Sequence, residues 1–433
     1  MQFLESLRYK AFWIVDKLKG SPVRKNYNEI KYINEHYNTD RSQALQKKNL
    51  ETLIQHAITT TTFYQDFSEA KTIEDFPVIN KVMIKNDYAA FRSSKHQDAT
   101  HKVATSGSSG TPFILYQDAT KKLRNTADAI YFADRSNIPL GMEVYFMRIW
   151  TKKNKKSPVK GWVQNVKMQE IINFDDHEIE AFLQKLSRNP HKKGIWGYAS
   201  ALDNVRKYLD RHPQKAKNCN LASIVATSEY LDPHAKAQLI KHFNAPVISR
   251  YSNAENGIFG LQNINGNADY FINWASYYIE ILDFDEDEPV KKGELGRIVI
   301  TDLFNFCVPL LRYDTGDIGS IENDENGVPV FKTIEGRKLD MLYDTAGKMI
   351  SPYFIGMHMK KYPELKQFQF IQEGKKDYTF KLNIDGKLED EGQFINEIKG
   401  FLGNDSVIKL DYINEIPLLS SGKRKLVVNN FYT

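Results

Sequence analysis

The sequence predicts an α/β fold: a large domain of layered sheets and helices over residues 1–335, then a small α+β domain over residues 336–433. Three observations predict it. The first is a series of short apolar runs that end in polar residues, "SIVATSE", "PVISRYS" and "GRIVITDL", which read as buried strands. The second is that "HEIEAFLQKLSRNP" and "AKAQLIKHFNAP" alternate with them and carry apolar residues at helical spacing, the pattern of an α/β layer. The third is a change of pattern after about Gly336. There "KQFQFIQ" and "YTFKLNI" read as strands joined by a Gly/Lys turn; a helix follows with Phe394, Ile395, Ile398, Phe401 and Leu402 on one face, and then the strand "SVIKLDYI". A unit of roughly 100 residues is an ordinary domain size, and 433 residues exceed what one core usually holds.

The N-terminal stretch "MQFLESLRYKAFWIVDKLKGSP" places Phe3, Leu4, Leu7, Ala11, Ile14, Val15 and Leu18 at helical spacing, with Arg8, Lys10, Lys17 and Lys19 interleaved. Its apolar run stops at Asp16, so it is neither a signal peptide nor a membrane span. A helix packed on the body of the protein is the favoured expectation, and a helix lying on an anionic membrane surface is the alternative. The lysine-rich "KKNKKSPVK", Lys152–Lys160, reads as a solvated loop, although a phosphate-bearing partner would suit it.

With 59 basic and 54 acidic residues the net charge is +5, a bias too weak to argue for nucleic acid. Two distant cysteines, Cys219 and Cys307, give neither a disulfide framework nor a zinc pattern, and a reducing, cytoplasmic compartment fits them. The ten histidines, His101 among them, show no metal-binding spacing.

The stretch "TSGSSGTPF" holds most of the chemistry near the start of the large domain. Gly107 and Gly110 allow tight turns, while Thr105, Ser106, Ser108, Ser109 and Thr111 offer hydroxyls beside backbone N–H groups, a set suited to phosphate oxygens. It ends in neither Gly-Lys-Ser/Thr nor G-x-G-x-x-G. Composition alone leaves it level with a flexible linker. Four later stretches decide for the phosphate loop: "RYSNAENG" with Tyr251 and Glu255 just after a strand, "LRYDTGD" with Arg312, Tyr313 and Asp317 in a Gly-containing turn, "EGRKLD" with Arg337 and Asp340, and "IPLLSSGKRK" with Lys423. A phosphate loop, a carboxylate for a metal, a carboxylate for ribose hydroxyls, an arginine and a remote lysine compose an ATP-consuming site.

In the order and spacing of these motifs the chain resembles the adenylate-forming (ANL) superfamily, and within it the phenylacetate-coenzyme A ligase branch and the CapK-like capsular-polysaccharide adenylation proteins. "SEYLDPHAKAQLIKHFNAPVISRYSNAENG" carries the strongest likeness, which runs from about Lys102 to the C-terminus. The resemblance implies ATP and Mg²⁺ as cofactors, a carboxylic acid as substrate, and a thiol such as coenzyme A or an amine as acceptor. It implies that Thr105–Thr111 hold pyrophosphate, Glu255 binds Mg²⁺, Asp317 the ribose hydroxyls, and Arg337 the ribose or phosphate region. Tyr251 would flank the adenine or the α-phosphate. Lys423 would neutralise charge at the α-phosphate, with Lys425 as the competing register, and Asp340 would be the hinge of a small mobile domain. These roles are electrostatic and positional, as phosphoryl-type chemistry requires.

Three departures qualify the likeness. Phe113 stands where many relatives carry Lys; Ser252 and Ala254 replace Gly and Thr; and Asp314 replaces Arg, with Arg312 nearby to compensate. The resemblance lines the acyl pocket with Tyr198, Ala199, Thr227, Ser228, Glu229, Ser252, Asn253 and Ala254, although Tyr198 is equally compatible with core packing. Two functions stay open on this reading: an ATP-dependent ligase, and a nucleotide-binding partner in polysaccharide assembly that does not turn over.

Overall fold

The computed structural model describes residues 3–96, 101–104, 113–152, 154–264, 268–337, 342–350, 355, 358–359, 361–362, 364–417 and 427–431. The expected phosphate loop Thr105–Thr111, the hinge residue Asp340, and Lys423 with Lys425 lie outside these residues.

Up to Arg337 the chain builds one eleven-stranded sheet with two unlike halves. Val166–Gln169, Val144–Met147, Lys193–Tyr198, Leu221–Thr227 and Val247–Asn253 run parallel. From there Gly257–Gln262, Tyr270–Ile272, Pro329–Arg337, Tyr313–Asn323, Gly296–Asp302 and Tyr277–Leu282 continue the sheet with antiparallel pairing. Val247–Asn253 is the seam, parallel to one neighbour and antiparallel to the other.

Sequence explains the contrast between the halves. Leu221–Thr227 is apolar almost throughout because helices cover both faces of a parallel sheet. On one face Asp176–Arg188, Ala199–Arg211 and Pro233–Phe243 bury Phe182, Leu183, Leu202 and Leu239 against Ile195 and Ile224. On the other, Ala119–Arg135 and Pro22–Glu35 bury Ala127, Ile30 and Ile33 against Val225 and Ile248. The helices start where the sequence provides caps: Asp175 accepts from the Glu178 N–H (3.0 Å), and Asp232, just before Pro233, accepts from the N–H groups of His234 and Ala235 (2.8 and 3.0 Å). The antiparallel half has its own apolar cluster around Phe259, Ile298, Val308 and Phe331.

One expectation changes here, and one helix packs by an unexpected face. "LRYDTGD" is not a turn: Tyr313–Asn323 is a continuous strand, in which Gly316 takes φ +78° beside a register shift against Gly296–Asp302. The N-terminal helix, Phe3–Leu18, does not pack through its apolar stripe. Phe3, Leu4, Leu7, Ile14, Val15 and Leu18 face outward, Phe3 and Leu18 both 82% exposed. The helix instead packs on the body through Phe12 and Trp13, with Trp13 edge-on to Tyr27 at 5.8 Å, and is fastened further by two buried carboxylates. Asp16 accepts from the N–H groups of Val23 and Arg24 (3.0 and 2.9 Å), and Glu5 from that of Glu143 (3.3 Å). Capping the first turn of the next helix adds about 1 kcal/mol to the apolar contacts of Phe12 and Trp13.

From Leu342 onward the chain closes a separate core. Gln367–Gln372 and Asp377–Asn383 form an antiparallel pair, flanked in parallel by Val427–Asn429 and Val407–Tyr412. The helix Glu391–Leu402 lays Phe394, Ile398 and Leu402 over Phe370, Phe380 and Leu382. This is the strand, strand, helix, strand order that the sequence predicts.

Candidate active site

Tyr251, Glu255 and Asp317 meet where the two halves of the sheet join. Tyr251 sits within the seam strand rather than after it, and Glu255 in the turn that joins this strand to Gly257–Gln262. Asp317 lies on Tyr313–Asn323, where its backbone pairs with Arg337 on the next strand. Only the backbone of Arg337 is described.

Each of two motifs holds the other's carboxylate. Tyr251 of "RYSNAENG" donates its hydroxyl to Asp317 Oδ2 (2.7 Å), and Tyr313 of "LRYDTGD" donates to Glu255 Oε1 (3.1 Å). Burial, then the charge of the facing carboxylate, raises both phenols well above their ordinary pKa, so they remain donors throughout the physiological range. The Tyr251 ring is wedged between Phe259 and Phe331, with centroids 5.1 and 5.6 Å away. Tyr251 is thereby committed to orienting Asp317.

Glu255 is 2% exposed, and its turn is tied down from several sides. Gln117 Nε2 donates to the Glu255 carbonyl (2.7 Å) and the Tyr277 hydroxyl to the Asn256 carbonyl (2.8 Å). Asn253 and Asn256 bond each other. Beneath them Lys121 and Asp302 form a fully buried ion pair at 2.8 Å, which the Asn256 amide also contacts. Lys81, at the start of the short helix Lys81–Asn86, sets its ammonium 2.7 Å from Glu255 Oε1. Sequence reading missed Lys81, Tyr313 as a ligand of Glu255, and Gln117. Only the repeated pairing of tyrosine with a nearby carboxylate in two motifs hinted at Tyr313.

Arg312 does not compensate for Asp314. Its side chain is buried and engaged with Glu280 (3.0 Å) and the carbonyls of Glu74, Phe76 and Asp287. Asp314 is neutralised instead by Arg297 at 3.2 Å, which also pairs with Asp287 at 2.7 Å.

The expected acyl-pocket residues are divided. Thr227, Ser252 and Asn253 lie at the carboxyl ends of adjacent strands, and the Thr227 hydroxyl donates to the Gly197 carbonyl (3.3 Å). Ser228 takes a left-handed φ of +70° immediately after its strand. Ala199 is buried core and Ala254 is exposed at the turn. Tyr198 packs against the core on the Asp176–Arg188 side. Glu229 accepts from the Ser200 N–H (2.9 Å), at the start of the helix Ala199–Arg211. Among the described residues, no group of three or more His, Cys, Asp or Glu side chains could hold a metal by itself. Cys219 and Cys307 are both buried and free, and burial pushes each thiol up to about 11.

The fold is shared with a solved CoA ligase and with MatB. A 2-hydroxyisobutyryl-CoA ligase in its postadenylation state, bound to an acyl-AMP, superposes with a TM-score of 0.69 at 15% identity, covering 89% of each chain. ATP-bound MatB from Rhodopseudomonas palustris superposes at 0.57 with 15% identity, covering 75% of this chain and 66% of the other. In sequence the chain is similar to CapK. Residues 342–430 match the CapK C-terminal domain, and Protein CapK of Staphylococcus aureus is 22% identical over 436 residues, 96% of this chain and 89% of that protein.

Proposed function

We propose that the protein is an AMP-forming ligase that activates a carboxylic acid with ATP and passes the acyl group to coenzyme A or to an amine, in capsule or surface polysaccharide synthesis. The observation that supports it is the crossed pairing of Tyr251 with Asp317 and of Tyr313 with Glu255, which sets two carboxylates at one seam. A carboxylate oxygen of the acid attacks the α-phosphorus, the bond to the β-phosphate oxygen breaks, and pyrophosphate leaves with the electron pair. Asp317 holds the ribose hydroxyls, Arg337 the ribose or phosphate region, and Thr105–Thr111 the pyrophosphate.

Glu255 fits a Mg²⁺ that shares its coordination with substrate phosphates, because such sites commonly use a single carboxylate. That ion would neutralise charge on the phosphates. Lys81, already on Glu255, supplies a fixed cation that the loop ending in Phe113 lacks. In this reading residues 336–433 form a lid that turns at Asp340 and carries Lys423 to the α-phosphate.

Carboxylate-dependent exchange of labelled pyrophosphate into ATP tests the proposal. Lys423→Ala is expected to lower exchange at least 100-fold, on the order of one lost electrostatic contact to the transition state, while ATP still binds. The same loss in Lys425→Ala with Lys423→Ala unaffected would move the register by two residues. Tight ATP binding without exchange for any acid would leave the non-catalytic nucleotide-binding partner.

The outward stripe of the N-terminal helix supports a proposal about location: peripheral docking on an anionic bilayer from the cytoplasmic side. Trp162, 65% exposed, extends the apolar surface beneath Arg8, whose guanidinium lies 5.3 Å from its ring, and Val159 and Val163 are exposed beside it. Lys10, Lys17, Lys19 and Lys160 accompany this surface, an arrangement suited to acidic headgroups. No described helix is long and apolar enough to cross a membrane. Sedimentation with vesicles containing phosphatidylglycerol is expected to carry down the wild type and to lose about tenfold in partitioning with Leu7→Glu. A concentration-dependent dimer abolished by Leu7→Glu, with no vesicle binding, would sink this reading.

A further inference from the structure

The face of the parallel half that looks away from Asp176–Arg188 carries a second cluster of charge, apart from Glu255 and Asp317. Phe146, Trp196, Val225 and Ile248 are register partners across four adjacent strands and form one apolar row. Alternate residues of a strand share a face. Two positions further along three of these strands, toward their carboxyl ends, stand Arg148, Thr227 and Arg250; on the fourth, Tyr198 turns to the opposite face as the helix Ala199–Arg211 begins. Arg148 keeps the ladder just past its strand, its N–H bonded to the Gln169 carbonyl at 3.1 Å. The two arginine backbones are about 14 Å apart at the usual strand spacing, so their side chains can converge over Thr227.

Neither arginine is neutralised. The Nε of each is buried without a hydrogen-bond partner, and among the described residues neither guanidinium joins an ion pair. Burial, then the charge of Arg148, lowers the pKa of Arg250 to about 10, so it stays charged at neutral pH while repelled by its neighbour. Lys156, from the lysine-rich stretch, extends the cluster. Its amine donates to Gln164 Oε1 (2.6 Å), and burial, Lys160 and Arg148 lower its pKa. Glu170, beside Trp150, spends its oxygens on the backbone N–H groups of Trp150, Ile171 and Ile172. The Arg148 guanidinium lies 5.4 Å from the rings of both Phe146 and Trp150, which hold it in place. Both arginine side chains are half-buried, and a cation whose Nε is buried without a partner is costly unless a ligand completes it.

We infer that Arg148 and Arg250 read a second anionic group, a carboxylate or a phosphate, on the acid to be activated. Thr227 belongs to the expected acyl pocket, and Arg250 directly precedes Tyr251. The inference thus rests on the adenylation reading for what happens at the other end of the acid. The acid's first carboxylate meets ATP near Glu255, and its far end meets the arginines above the apolar row.

Pyrophosphate exchange with matched acids tests this: succinate and glutarate against butyrate and valerate, with phosphoglycolate separating phosphate from carboxylate. Dianionic acids are expected to be used at least tenfold better than monoanions of equal length. Arg250→Gln and Arg148→Gln are each expected to raise KM for the dianion roughly 10- to 100-fold, the range of a lost charged hydrogen bond, with KM for ATP unchanged. Both variants are expected to melt no lower than wild type without ligand, since each removes repulsion. Equal use of monoanions and dianions, or an equal rise in KM for both in Arg250→Gln, overturns the inference. Should no acid support exchange, the adenylation reading fails, and calorimetric titration with the same dianions tests the arginines alone. Saturable binding lost in both variants supports them, and no binding to the wild type refutes them.

Discussion

Arg312 and Arg250 lie in the two halves of one sheet, both drawn into the protein, yet only one is matched. In the antiparallel half Arg312 pairs with Glu280 and donates to three carbonyls, while Arg250 in the parallel half has a buried Nε with no partner. The two also differ in backbone. Arg312 takes a left-handed φ of +48°, held by an N–H bond to the Thr301 hydroxyl (2.9 Å), whereas Arg250 is in regular strand. A charge that is completed internally serves the fold. One that is left incomplete at strand ends, where α/β sheets place ligands, is available for binding.

The largest test of this contrast is Arg312→Met. It leaves Glu280 buried and unpaired, and a loss of about 3–5 kcal/mol is expected in urea denaturation. Burial already raises the Glu280 pKa against the opposing pull of Arg312; without the arginine that carboxyl protonates more readily, so part of the loss should be recovered in mild acid. Adding Glu280→Met to the variant should restore most of the stability, and failure to do so would mean that the carbonyl contacts matter more than the charge.

A middle-sized effect is expected for Tyr251→Phe, which removes the hydroxyl that orients Asp317. KM for ATP should rise about tenfold, the worth of roughly 1.4 kcal/mol, with little change in melting temperature. An unchanged KM would separate Asp317 from nucleotide binding.

The smallest effect, and the sharpest for the comparison, is Arg250→Met. Ligand-free stability should stay within about 0.5 kcal/mol of wild type or increase. A loss comparable to that of Arg312→Met would show that Arg250 has a structural partner and erase the distinction between the halves.

Much of the fold was legible. "SIVATSE", "PVISRYS" and "GRIVITDL" became strands, and "HEIEAFLQKLSRNP" and "AKAQLIKHFNAP" helices, because burial on both faces enforces continuous apolar runs and burial on one face enforces helical periodicity. The N-terminal helix was legible as a helix but not in its orientation. Its longest apolar stripe faces outward, while Phe12, Trp13 and the hydrogen bonds of Glu5 and Asp16 hold the opposite face to the body. "LRYDTGD" looked like a turn because glycine and aspartate favour turns, but a neighbouring strand absorbs Gly316 as an irregularity.

The sequence by itself determined the element types, the order of the motifs, and which carboxylates to watch, since those depend on local periodicity and residue chemistry. Only the tertiary structure decided how partners are shared: Tyr313 with Glu255, Tyr251 with Asp317, Lys81 on Glu255, Arg312 with Glu280, and Arg148 beside an unmatched Arg250. Each of these meetings joins residues far apart in the chain. Their energies depend on distance and desolvation, and neither exists until the sheet has formed.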